Sequence, residues 1–253
     1  MARILVWDFI VRLFHLLVVV GFASAYVVAK FMGEDSGLFP FHMMIGLSLA
    51  AAVLFRVVWG FIGTKWARLS TLFHAPKAYA DYMKGILSRE GKPYVGHNPA
   101  SSLAIVAILL LIVALATTGY LMSQGFEGLK KIHELCANLL ALVSLAHIGG
   151  VLLHTFVHRD GIIASMIHGR KWGREEDAIA GPSPFAALLL LVLTSVLFGG
   201  FVANYNPRDR TTSWPVFGGT VRLGEGESGE RHEGRKPRAH EEAEGHERHG
   251  DDD

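Results

Sequence analysis

Residues Lys130 to His158 read KKIHELCANLLALVSLAHIGGVLLHTFVH. Past the paired lysines this is an apolar run, longer than the roughly 20 residues a helix needs to cross a bilayer. It carries His133, His147 and His154. His133 and His147 are fourteen residues apart. At about 100° and 1.5 Å per residue they return to within roughly 40° of one face, about 21 Å apart along the axis. Histidine inside a membrane span is costly and rare, and it points to function by default. Two on one face, one near each surface, predict two sites stacked across the bilayer, provided other helices supply partners at matching depths.

The composition agrees with a membrane setting. Of the 253 residues, 51% are hydrophobic, and the mean hydropathy is +0.32. The formal net charge is only +1, which gives no case for nucleic acid. The single cysteine, Cys136, excludes an intrachain disulfide. There is no Cys-x-x-Cys-His, so any haem would be held by side-chain ligands alone.

Five runs approach spanning length: Phe9–Ala29, Phe41–Gly63, Leu103–Met122, Ile132–Val157 and Phe185–Ala203. The expected fold is all-α: an integral membrane four-helix bundle over residues 1–175, with an additional fifth transmembrane helix over 176–205. From Asn206 to Asp253 the chain is rich in Glu, Gly, His and Arg, with almost no apolar residue after Phe217. A disordered C-terminal tail is expected over 206–253, since it lacks the means to bury a core.

Lys and Arg set the orientation. Twelve, from Arg3 and Arg12 to Lys171 and Arg174, fall on the side of the N-terminus, against Lys30, Lys130 and Lys131 in the short loops of the other. The N-terminus and the long loops are therefore expected to be cytoplasmic, in a multi-pass bacterial inner-membrane protein with a periplasmic tail. Arg12, an apolar run and Ala23-Ser24-Ala25 also resemble a signal peptide and its cleavage site. Against that reading, Trp7 and Asp8 occupy the place of a positive n-region, and cleavage would discard His15.

Depth then pairs the histidines. His15 lies toward the inner end of the first span, and His42 at the outer end of the second. On the key helix His133 is outer and His147 inner. Two bis-histidine sites follow, His42 with His133 and His15 with His147. Paired neutral imidazoles either side of an iron are a haem b arrangement. Gly46, Gly119, Gly149 and Gly150 would admit a flat macrocycle, although such glycines also serve plain helix packing. His154 shares the face of His147 nearer the rim, where it reads as a rim residue or a propionate or quinone contact. Arg56, fourteen residues after His42, repeats its face at the inner level. It needs a counter-charge there, such as a haem propionate, or it snorkels to lipid headgroups. Asn98 before Pro99 is a helix start, and His97 beside it could line a quinone pocket. His74, His158 and His168 read as solvated loop residues.

Four stretches together resemble the prokaryotic di-haem cytochrome b family, which includes the b-type cytochrome subunits of nickel–iron hydrogenases and superoxide-oxidising quinone reductases. They are VWDFIVRLFH (6–15), RVVWGFIG (56–63), GHNPAS (96–101) and HELCANLLALVSLAH (133–147). The resemblance covers residues 3–172. It implies a four-helix core holding two haems b, with His15, His42, His133 and His147 as axial ligands to iron. It also implies electron transfer between an external redox partner and the quinone pool. As an electron-transfer subunit the chain would serve a periplasmic c-type cytochrome or a hydrogenase. As a self-contained enzyme it would oxidise superoxide and reduce quinone, and a positive outer pocket with Lys130 and Lys131 would favour that. No catalytic side chain is assigned, and membrane lipid is the remaining expected partner. The fifth span and the tail, with His232, His240, His246 and His249, depart from the simplest members. A metal-ion carrier is the rival from another class. Zinc sites usually add carboxylate or thiolate ligands, and the spans offer very little acid, Glu134 at one helix mouth and Asp8 at another.

Overall fold

Asp8 shows why the first span begins where it does. Its Oδ1 accepts the backbone N–H of Val11 at 2.8 Å, which caps the helix α1, Phe9–Val27. The computed structural model describes residues 2–88, 94–158, 161–216 and 218–224. Beyond α1 a π-helical turn, Val28–Met32, carries the span to Gly33, whose φ of 79° ends it. The second span, α2, is Phe39–Ile62, with Pro40 in its first turn. Pro76–Ser88 forms α3, a short helix over the inner loops. The third span, α4, is Pro99–Ser123, capped by Asn98, whose side chain accepts from Ser101. Lys130–His158 forms α5, and Ile162–His168 the short α6. The fifth span, α7, is Pro184–Ala203. All five long helices are apolar enough to cross a membrane, and their positions match the expected runs to within a few residues.

The helices form two hairpins, α1 with α2 and α4 with α5. The hairpins join through α2 and α4, around Val53, Leu109, Ile112 and Leu140. The fifth span packs on the far side of the first hairpin, where Ala187 and Leu190 meet Ile10 and Ala52. Among the spanning helices and the described residues, α5 makes its extensive backbone packing with α4. It stands off from α1 and α2, leaving a cleft. A Cβ added at Gly46, Gly149 or Gly150 would meet nothing within 4 Å, so these glycines are not helix-packing contacts.

At the inner end, strand β1 (Ala2–Leu5) pairs antiparallel with β2 (Arg170–Gly173), with Arg3 opposite Trp172. Neither strand nor α3 and α6 was expected from the sequence. At the outer end the expected tail is corrected. Residues 206–224 carry an antiparallel hairpin, β3 (Thr211–Ser213) with β4 (Thr220–Arg222). It buries Val221 and Leu223 against Met44 and Phe201. Thr212 donates to the Phe201 carbonyl at 2.7 Å, and Arg210 donates to the carbonyls of Glu34 and Asp35 at 2.9 Å each. A few apolar side chains suffice because α7 and α2 already present an apolar end to cover. The remainder of the tail, residues 225–253, including its four histidines, lies outside the described residues.

Candidate functional site

The cleft between α5 and the first hairpin collects the histidines. His42 and His133 come together at the outer end, with ring centres 6.2 Å apart and planes at 73°. His15 and His147 come within electrostatic reach of one another at the inner end.

The outer pair is oriented by its neighbours. His42 Nδ1 donates to the Ala25 carbonyl at 2.8 Å, and the ring stacks on Phe39. His133 Nδ1 lies 2.8 Å from Thr118 Oγ1. That hydroxyl spends its own proton on the carbonyls of Ala114 and Leu115, so it accepts from His133. In both rings Nδ1 carries the proton and Nε2 keeps its lone pair. A metal–imidazole bond is about 2 Å long, so two imidazoles on opposite sides of one metal have ring centres about 6 Å apart. The observed spacing fits that arrangement. Gly119 lies against His133, where a Cβ would sit 3.3 Å from Cε1. Tyr26 donates to Asn138 at 3.2 Å, which ties α1 to α5 beside the pair.

Charge dominates the inner end. Arg56 is 4% exposed, and its Nη1 is buried without a hydrogen-bond partner. Asp8 is close enough to interact with it electrostatically. Its oxygens, however, are already taken by the Val11 N–H, by Trp59 Nε1 at 2.9 Å and by Thr64 Oγ1 at 2.7 Å. An orphaned guanidinium N–H beside a cleft suits a carboxylate ligand such as a haem propionate. The residues at both ends thus fit a haem, with imidazoles to hold iron and a buried cation to meet its acid groups.

His97 sits beside this cation. Its ring lies 4.7 Å from that of Trp7, and its buried Nδ1 has no partner. Burial pushes its pKa from 6.5 down to about 3, helped by Arg56, Lys171, His147 and His74. His97 is therefore neutral in the folded protein, while the unfolded chain takes up a proton there below about pH 6.5. Stability is unaffected by this group above that value. It falls by about 1.4 kcal/mol per unit as pH drops toward 3. Thermal unfolding in detergent should show this acid slope, and His97→Gln should flatten it; an unchanged slope would place the titration elsewhere.

Two expectations for lone histidines change. His154 is buried against α3: its Nδ1 lies 3.1 Å from Tyr82 Oη and its ring stacks on that tyrosine. His74 is not solvated but half-buried, 3.0 Å from Ser102 Oγ and edge-on to Tyr79 and Tyr94. His168 is exposed, and the His158 side chain lies outside the described residues. Sequence reading missed Thr118, fifteen residues before His133 in another helix. It also missed the cross-chain role of Asp8, for which only the cap before an apolar run was a signal.

Five membrane-length apolar helices that bring histidines of different helices together are what a membrane cytochrome of b type would present. Residues 6–169 match the family described as prokaryotic cytochrome b561, and the chain belongs to that family. Relatives described as probable Ni/Fe-hydrogenase B-type cytochrome subunits occur in Bradyrhizobium diazoefficiens, Rhizobium leguminosarum bv. viciae and Rhodobacter capsulatus. The first is 26% identical over 53% of this chain and 66% of its own length. The second is 24% identical over 54% and 69%. The third is 22% identical over 69% and 81%. No solved structure matches the chain.

Proposed function

We propose that this chain carries electrons, one at a time, between a redox partner at the outer surface and the quinone pool, through two bis-histidine haems b. Haem b would supply reversible one-electron iron chemistry when bound. His42 and His133 hold the outer group, and His15 and His147 the inner one. The Ala25 carbonyl and Thr118 keep two of those imidazoles in the ligating tautomer. Arg56, with its buried unpartnered Nη1, would pair with the acid groups of the inner haem. The observation that carries the reading is the His42–His133 pair at 6.2 Å, with both Nδ1 atoms already engaged. Following the Lys and Arg bias, the N-terminus is cytoplasmic and the β3–β4 hairpin periplasmic.

The names of the relatives suggest a hydrogenase as the outer partner, and a periplasmic c-type cytochrome has the same chemistry to offer. A self-contained superoxide-oxidising enzyme needs a positive outer pocket. Lys130 is 2.7 Å from Glu34, which offsets part of that charge and favours the subunit reading. Among the described residues no group of three or more His, Cys, Asp or Glu converges, so the metal-carrier reading finds no site there.

A reduced-minus-oxidised spectrum with haem counted per polypeptide tests the proposal. Two non-covalent haems per chain are expected; one would remove one pair, and none would end the reading. Thr118→Val should weaken haem retention at the outer site about 10- to 100-fold, as loss of an orienting partner does. Titration of the apoprotein with haem checks this, and wild-type retention would mean that the hydroxyl orients nothing.

A further inference from the structure

The inner surface holds a second, smaller cavity that the proposed electron path does not use. It measures about 120 Å³, room for about four water molecules. Arg3 of β1, Ala164 and His168 of α6, and Arg170, Lys171 and Trp172 of β2 line it. Among the described residues the lining contains no carboxylate, against the guanidinium groups of Arg3 and Arg170 and a histidine; the Lys171 ammonium donates to the Tyr94 carbonyl.

His168 makes this more than a basic patch. The backbone N–H of Arg170 donates to its Nδ1 at 3.0 Å. A neutral imidazole has one N–H, so the proton is on Nε2. Yet Nε2 lies 3.0 Å from Nη2 of Arg3, a group that only donates. Protonating the ring gives no relief, because both nitrogens then donate. Two donors face one another with no acceptor between them, and an anion seated against both would supply it.

The flanking surface narrows the source of that anion. On α6, Ala164 and His168 face the cavity, four residues apart. The neighbouring face exposes Ile163 and Ile167, at 46% and 78%, and Trp172 beside it is 57% exposed. The Arg12 guanidinium bonds to the Ile167 carbonyl, tying this helix to the start of the first span. Large apolar side chains next to a cationic cavity at the end of a bundle lie at headgroup depth, and Trp is the residue of that interface. We propose that this cavity binds a phosphate group, presented by an anionic phospholipid whose acyl chains lie along Ile163, Ile167 and Trp172. The inference does not depend on haem, nor on which way the chain crosses the membrane.

Native mass spectrometry of the full-length protein tests it, after transfer between nanodiscs of phosphatidylcholine and of phosphatidylglycerol. The wild type should retain phosphatidylglycerol over phosphatidylcholine. The Arg3→Ala/Arg170→Ala double variant should lose that preference about 30-fold, the effect of two basic residues near a charged headgroup. Arg3→Lys/Arg170→Lys should keep most of it, which separates a charge effect from damage to the β1–β2 pairing. Excess inorganic phosphate distinguishes the sources. If it displaces the retained lipid, the anionic phosphate is recognised where no headgroup ammonium offsets it, as choline's does; resistance to it assigns a share to the acyl chains. Equal retention of the two lipids by the wild type overturns the proposal. So does an unchanged preference in the Ala double variant.

Discussion

Replacing His42 or His133 by Ala is expected to halve the haem content, from two per chain to one, with the bundle otherwise assembled. Either substitution removes one side of a pair whose rings are 6.2 Å apart and whose second nitrogens are already bonded to the protein. Among the described neighbours of the pair, Phe39 offers only a ring face and Thr118 a neutral hydroxyl that carries none of imidazole's basicity. The same should hold for His15 and His147 at the inner end. His154→Ala is the informative contrast. That ring lies against Tyr82 on α3, so its loss should leave both haems in place and lower stability by roughly 2–5 kcal/mol, the range for emptying a large buried site. Haem extracted per polypeptide, with the absorption spectrum, reads all five variants. Loss of haem from His154→Ala with retention in His147→Ala would reverse the inner assignment.

Asp8→Ala should be the most destabilising single change at the inner end, by about 3–5 kcal/mol. The carboxylate is fully buried, and it binds three elements at once: the first turn of α1 through Val11, the end of α2 through Trp59, and the following loop through Thr64. Truncation leaves those donors unsatisfied, removes a helix cap and strips the nearest carboxylate from buried Arg56. Asp8→Asn keeps most of the hydrogen bonds but not the charge, and should cost less. Thermal unfolding in detergent, followed together with haem loss, separates the two variants. Wild-type stability in Asp8→Ala would show that the hub contributes little.

Much of this was readable from the chain. Hydropathy alone located the five spans, because a helix that crosses lipid must be apolar on nearly every side. The helix start at Asn98-Pro99 was legible because caps act within three or four residues, whereas the cap at Asp8 emerged only from the structure. The inner and outer layers were not legible. Strands β1 and β2 are four residues each and pair across some 165 positions, so neither has a periodic signal of its own. The outer hairpin was hidden for a related reason: Val221 and Leu223 are too few to make a core, and they become one only against Met44 and Phe201. His154 shares a face with His147 and was set apart in the sequence by depth alone; its burial against Tyr82 depends on the docking of α3.

The division is physical. Local composition and the helical repeat determined the membrane class, the spans and the depth of each histidine, since these depend on neighbours within a few turns. Tertiary structure alone decided which face each helix offers its partners. It stood α5 away from the first hairpin, set Thr118 behind His133, left Arg56 without an acceptor and turned Arg3 toward His168. Those features join residues far apart in the chain, and no local pattern carries them.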